Sequence, residues 1–272
     1  MESKRSGVSV GIVMNVRTVT TLSARTASQL ALTRVAPFKN IQSGPQVTSP
    51  QSQKGLTLSS QLPSWYPFTS CSLTDFQCGG VTAYKAVKNA NLKKGQTVVI
   101  LGAGGGVGSF ALQYAHAMGY KTVAVDGGAA KEKSTKALGT WKYIDFTKEK
   151  DLIAAVKEAT DGGAHAVIVF SPSPQAYAQA PFMLRKRGTM VAVGLPAGSS
   201  PISVEPGYLA FSGINIRGSL VGNQSDVLEA LEIAKQGKIE VPSSIKKLDD
   251  LQSVMEDMEA GKVVGRVVLT FD

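Results

Sequence analysis

From Cys78 to the carboxyl terminus, short β-branched runs alternate with segments whose apolar residues recur at helical spacing. "TVVILG" (97–102) is a continuous apolar run closed by glycine, as expected of a strand buried on both faces. "SFALQYAHAM" (109–118) places apolar residues three and four apart, and Gly119 suits the end of a helix. The rhythm continues through "KTVAVD", "AAKEKSTKAL", "YIDF", "KDLIAAVKEAT", "HAVIVF", "QAYAQAPFML" and "TMVAVGL", which predict strand and helix in turn. Amphipathic helices near 225–236 and 248–260 and a last strand, "VVGRVVLTF", follow. Strands separated by helices in this way predict an α/β fold with a doubly wound parallel sheet. Ligands then bind beyond the carboxyl ends of the strands.

Residues 1–77 have a different texture. They are rich in Ser, Thr, Gln and Pro, show no sustained period, and predict an irregular, disordered extension. The expected organisation is therefore a leader (1–77), a dinucleotide-type domain (78–222) and a carboxy-terminal segment (223–272) that completes it. The chain has a formal net charge of +9, and the stretch before Asp75 holds seven basic residues against one acid, Glu2. Most of the basicity thus belongs to the leader, and aromatic residues are not interleaved with it, which argues against nucleic-acid binding. No apolar run is long enough to cross a bilayer, so no membrane partner is expected. Two cysteines in 272 residues fit a reducing compartment. The expected location is the cytoplasm, with mitochondrial import as the alternative if the Arg- and Ser/Thr-rich leader is a transit peptide. Leu73–Gln77 can also be encoded by an intron branch site and acceptor, so part of the leader is expected to be translated intron.

Between the first strand and its helix lies "GAGGGVG", Gly102–Gly108. The dinucleotide spacing fits as Ala103, Gly105 and Gly108, with Gly106 and Val107 inside the loop. Gly105 would let backbone approach a pyrophosphate, and Gly108 would let the helix pack tightly on the strand. A helix N-terminus offers N–H groups and partial positive charge to phosphate. The second strand ends at Asp126, a carboxylate placed to accept from a ribose diol and to repel a 2′-phosphate, which favours NAD over NADP.

These residues carry a resemblance. Cys78–Asp272 resembles the cofactor half of the zinc-dependent, medium-chain alcohol dehydrogenases, above all the fungal ethanol-oxidising members. It rests on "CGGVTAYKAVKNANLKKGQTVVILGAGGGVGS", "QYAHAMGY", "VAVDGGAAKEK", "YIDFTKEKD", "GGAHAVI", "VAVGLPAG", "GSLVGN" and "VGRVV". It implies that Cys78 is one of three ligands to a catalytic zinc, that Thr82 lies near the nicotinamide, and that Val107 backs that ring. It further implies that Asp126 and Lys131 hold the adenosine ribose, that Arg266 reaches the cofactor near its phosphates, and that Val193 and Leu195 lie beside the nicotinamide.

The family's other zinc ligands, its Gly-His-Glu stretch and its four clustered cysteines have no match before Cys78; Cys71 sits in the unrelated "TSCSLTDF". Zinc is thus expected only if the missing ligands are supplied, and Cys78 stands as a single remnant. His116 and His165 are expected to be packing or surface residues. The expectation is an NAD-binding oxidoreductase by descent, acting on a small alcohol or aldehyde if active. The alternative is a catalytically inactive NAD-binding or oligomerisation fragment, with "INIRGSLV" (214–221) as a candidate homo-oligomer contact. The "VEPGYLA" segment and the tail are expected to expose apolar faces.

Overall fold

Strand and helix alternate as the pattern predicts, in a computed structural model that describes residues 76–198 and 200–270. The expected disordered leader, its translated-intron and transit-peptide readings, and Cys71 lie outside those residues, apart from the backbone of Phe76 and Gln77.

A single π-helical turn, Phe76–Gly80, leads into helix α1 (Val81–Asn89). The first half of the sheet follows as β1 (Thr97–Leu101), α2 (Gly106–Ala117), β2 (Lys121–Asp126), α3 (Ala129–Ala137) and β3 (Lys142–Asp145). Helix α4 (Leu152–Ala159) crosses to the second half: β4 (Ala164–Val169), α5 (Pro174–Gln179), β5 (Leu184–Ala192), α6 (Pro206–Ser212) and β6 (Asn215–Gly218). All pairings are parallel and the strand order is β3-β2-β1-β4-β5-β6. The order reverses between β1 and β4, the crevice where open α/β sheets bind ligands.

Every residue of β1 is buried, which is why its sequence is a continuous apolar run and not an alternating one. Val99 and Leu101 join Val123, Val125, Val167 and Val169 in one core with Tyr177 and Met183, and Leu152, Tyr208 and Leu209 pack at its margin. Val98 and Ile100 point to the other face by the period of two and are equally buried, as are Phe110, Leu112 and Tyr114 of α2. Burying each such side chain contributes roughly 1.5–3 kcal/mol. Helix α1 packs against α2, with the Tyr84 and Tyr114 rings edge-to-face at 5.4 Å.

Beyond the sheet come α7 (Gln224–Ile233), β7 (Ser243–Lys247), α8 (Leu251–Glu259) and β8 (Arg266–Thr270), with β7 and β8 forming a separate parallel pair. This tail is tied to α2 by a reciprocal pair: the Gln113 side-chain amide donates to the Glu240 carbonyl at 2.9 Å and accepts from its N–H at 2.6 Å. Helix α7 opens with a reciprocal cap between Asn223 and Asp226.

The structure corrects one expectation and adds elements the pattern left unpredicted. The helix expected over "QAYAQAPFML" ends at Gln179, because Pro181 has no N–H to continue it; a 3₁₀ turn follows, and β5 begins at Leu184. Helix α1 was hidden by the glycines and β-branched residues at its start, although Val81, Tyr84 and Val87 keep a helical spacing. Strand β7, "SSIKK", is exposed along its length and so has no hydrophobic alternation to read. No helix among the described residues is long and apolar enough to cross a membrane.

Candidate functional site

The turn from β1 into α2 is built by close approach. Gly102 has φ +82°, and a Cβ there would lie 2.9 Å from the Ser171 backbone nitrogen. A Cβ on Gly108 would lie 2.1 Å from the Gly102 carbonyl oxygen, so only glycine lets α2 sit this close to β1. Gly105 differs, because the nearest atom to an added Cβ is the Gly102 oxygen at 3.5 Å. The space over Gly105 is open where a pyrophosphate would approach. Gly105 is also the N-cap of the twelve-residue α2, in extended backbone, so the first-turn N–H groups face the same opening. Ala103, in the remaining fingerprint slot, is fully buried.

Two cations cover the glycines on either side. The Lys131 stem lies over Gly104, where a Cβ would be 2.8 Å from it, and the Arg266 side chain lies over Gly106, where a Cβ would be 2.4 Å from Nε. Arg266 arrives there because β8 is anchored to the loop: Gly265 bridges Gly105, and the Gly265 N–H donates to the Gly104 carbonyl at 2.9 Å.

Asp126 closes the site at the end of β2. It is buried, its Oδ2 accepts from the Gly104 N–H at 2.8 Å, and its Oδ1 accepts from Lys131 Nζ and the Gly127 N–H, each at 2.8 Å. A carboxylate has about four lone-pair sites, so three donors leave capacity for a further hydroxyl. The turn that follows is fixed by Asp145, which accepts from the Gly128 N–H at 3.3 Å. Hydrogen bonding from the Thr147 hydroxyl, aided by Lys148 and by backbone N–H groups, holds the Asp145 carboxyl down to about 2 against the opposing effect of burial.

A cavity of about 160 Å3 adjoins Asp126 at the carboxyl ends of β1, β2 and β4, lined by Leu101, Val125, Phe146, Ser171 and Gln175 among others. Sequence reasoning missed Phe146 and Ser171. The available signal was that each stands just past the end of a strand neighbouring the crevice.

The residues expected around a nicotinamide lie on other elements. Val193 is buried and Leu195 exposed just beyond β5; the Val193 and Gly194 N–H groups donate to the Val169 carbonyl at 3.1 and 2.9 Å. Val107 is half-buried in the first turn of α2, and Thr82 sits in α1, its hydroxyl donating to the Cys78 carbonyl at 2.6 Å. The structure thus brings Gly104, Gly105, Gly106, Asp126, Lys131 and Arg266 into one contacting group. No such contact joins Cys78, Thr82, Val193 or Leu195 to that group among the described residues. Cys78 is exposed, and no cluster of three His, Cys, Asp or Glu side chains able to hold a metal occurs among the described residues.

A doubly wound sheet with a glycine turn, an acid at the end of β2 and cations over the turn is the arrangement on which dinucleotide-binding folds hold their cofactor. Residues 106–236 match the zinc-binding dehydrogenase family. Over that stretch the chain carries a domain similar to that family's. It is 46% identical over 219 residues to alcohol dehydrogenase 1 of Emericella nidulans, covering 77% of this chain and 60% of the relative. It is 46% identical over 194 residues to alcohol dehydrogenase 1 of Neurospora crassa, covering 71% and 55% respectively. Among solved structures, the alcohol dehydrogenase of Aeropyrum pernix superposes with a TM-score of 0.67 at 32% identity, over 73% of this chain and 57% of that one. The chain therefore spans little more than half the length of these relatives.

Proposed function

We propose that this chain binds NAD(H) at the β1–α2 turn and serves hydride transfer between that cofactor and a small alcohol or its aldehyde. The observation that carries the reading is the Asp126 carboxylate at the lip of an open glycine turn, bonded to Gly104 and Lys131. Negative charge there accepts from a ribose diol and repels a 2′-phosphate, which supports NAD over NADP. Lys131, Arg266 and the α2 N-terminus supply positive charge for the pyrophosphate, with Ala103, Gly105, Gly106 and Gly108 shaping the backbone around it. The cavity beside Asp126 suits the adenine end. Val107, Val193 and Leu195 would wall the nicotinamide, with Thr82 the one polar side chain proposed near it. Bound NAD would supply a hydride acceptor at C4 of the nicotinamide.

The described residues do not make a zinc site. Cys78 is an exposed thiol outside any three-ligand cluster among the described residues, and catalytic zinc takes three protein ligands. The same observation favours a second reading, an NAD-binding chain without turnover of its own. Self-association through the sheet edge is part of either reading, supported by the exposed edge strand β6 and by exposed Ile216, Leu220 and Val221. We place the chain in the cytoplasm on its two-cysteine composition.

Fluorescence titration with NADH and NADPH tests the cofactor. NADH is expected to bind more tightly, and equal affinities would remove the role given to Asp126. Adding ethanol to the NAD-loaded protein, with and without zinc, separates the two readings. Growth of NADH absorbance supports catalysis, whereas binding without turnover leaves the second.

A further inference from the structure

The opposite end of the sheet holds a second cleft, of about 240 Å3, at the amino-terminal ends of β1, β4 and β5. Lys93, His165, Arg185, Lys186 and Arg187 line it, and none of the described lining residues is acidic. Among the described residues none of these four Lys and Arg side chains makes an ion pair. Four unmatched cations in one concavity raise the local potential and favour a multivalent anion.

The backbone is shaped to present them. Strand β5 pairs with β4 at Leu184↔Ala164 and next at Thr189↔Ala166, so residues 185–188 bulge outward between the two contacts. The bulge places Arg187 in the left-handed region at φ +63°. The other non-glycine residues with positive φ, among those described, are Asn91 and Asp161. Asn91 also lines the cleft, and the Asp161 carbonyl accepts from Arg185 at 3.2 Å. Two of the three left-handed side-chain-bearing residues, Asn91 and Arg187, thus line one site, and Asp161 touches one of its lining residues through its carbonyl.

His165 gives an independent sign. Its Nδ1 faces the Thr97 N–H at 3.2 Å, and its Nε2 faces Arg185 Nη1 at 2.7 Å. A neutral imidazole has one lone pair and one N–H, so it cannot accept from both donors. With Nδ1 accepting from Thr97, the Nε2–H and Arg185 Nη1 face each other as two donors, while Arg185 Nη2 donates to the Asp161 carbonyl. Burial and the Arg185 charge hold the His165 pKa below its ordinary value, which favours the neutral ring. A phosphate oxygen seated there would accept from both groups.

We propose that this cleft binds a compact phosphate-type dianion, either inorganic phosphate or the head of a phosphate monoester, held by His165 Nε2–H, Arg185, Lys186, Arg187 and Lys93. The test is calorimetric titration of inorganic phosphate into the full chain at constant ionic strength, balanced with chloride, in the presence and absence of NADH. A parallel titration with a simple alkyl phosphate distinguishes the free ion from an ester. The expected result is one site that NADH does not displace and that weakens about tenfold or more in K186Q/R187N, both exposed positions with Asn chosen to tolerate the left-handed backbone. On the unmodified chain, phosphate is also expected to move the His165 imidazole signals in NMR, a readout independent of the variant's folding. Three results would overturn the proposal: displacement by NADH with unchanged affinity in the variant, which places phosphate on the glycine turn; a response that chloride reproduces; or binding only to oligonucleotides with steep salt dependence, which makes the face a polyanion surface.

Discussion

The two ends of the parallel sheet solve opposite electrostatic problems with similar residues. At the carboxyl end, Lys131 pairs with Asp126 at 2.8 Å, and Arg266 lies across the glycine turn beside it. At the amino end, Lys93, Arg185, Lys186 and Arg187 gather around His165 with no acid among the described lining residues. A matched site is pre-formed and holds its geometry without ligand. An unmatched one stores repulsion that a ligand relieves, so it is expected to respond more steeply to anions and to salt.

The largest expected effect is at the turn itself. Gly108→Ala places a methyl 2.1 Å from the Gly102 carbonyl oxygen. It should destabilise the domain by about 3 kcal/mol or more and abolish NADH binding, read from urea midpoints and fluorescence titration. Phosphate binding at the amino end should survive in whatever fraction remains folded.

Next, Asp126→Ala should weaken NADH binding roughly ten- to a hundredfold, about 1.4–2.8 kcal/mol, and narrow the preference over NADPH. It frees Lys131 and leaves the Gly104 N–H without its acceptor, making the carboxyl end resemble the amino end. An unchanged NADH affinity would end the argument from the carboxylate.

A third region, the contact between α1 and α7, carries matched charge of its own. Asp226 is buried, caps α7, and is paired with Lys85 at 2.8 Å and Lys88 at 3.2 Å. Burial works to raise its pKa, but bonds from Lys85, the Asn223 N–H and Lys88 prevail and hold it at about 2. Its folded pKa thus lies below the unfolded value, so its contribution to stability is complete above pH ~5 and is lost as pH falls toward 2. Asp226→Ala should cost about 1–2 kcal/mol at pH 7, discounted for the partly exposed lysines, and the difference from the unaltered chain should shrink in acid. Urea midpoints across pH 2–7 check both the size and the sign.

The smallest effect sharpens the comparison most. Arg187→Gly relieves a left-handed backbone at φ +63° and should stabilise the protein by up to about 1 kcal/mol. It should also weaken phosphate binding. Stability gained with binding lost is the signature of strain kept for a ligand; stability gained with binding unchanged would mark Arg187 as a turn residue only.

Much of the carboxyl end was legible in the chain. "TVVILGAGGGVG" announces a buried strand and a tight turn, and "KTVAVD" ends its strand on the acid that reaches Gly104. Local patterning suffices there because β1, α2 and β2 are consecutive and pair directly. Helix α1 left a weaker trace, and α5 was overdrawn because apolar spacing ran on through Pro181. The amino-end cleft left no local trace: "LRKRG" carries charge without a period, and His165 is expected as a packing or surface residue. Its meaning depends on a bulge that register alone creates.

By itself the sequence determined the alternation of strand and helix, the glycine turn, and the carboxylate one strand away, because each rests on residues that fold against their near neighbours. The tertiary structure alone decided that Arg266, from the last strand, covers Gly106, and that Gln113 clamps Glu240. It also decided that Lys93, His165 and Arg185–Arg187 meet around one cleft. Those meetings are set by the reversal of strand order between β1 and β4 and by strand register, which spacing along the chain does not encode.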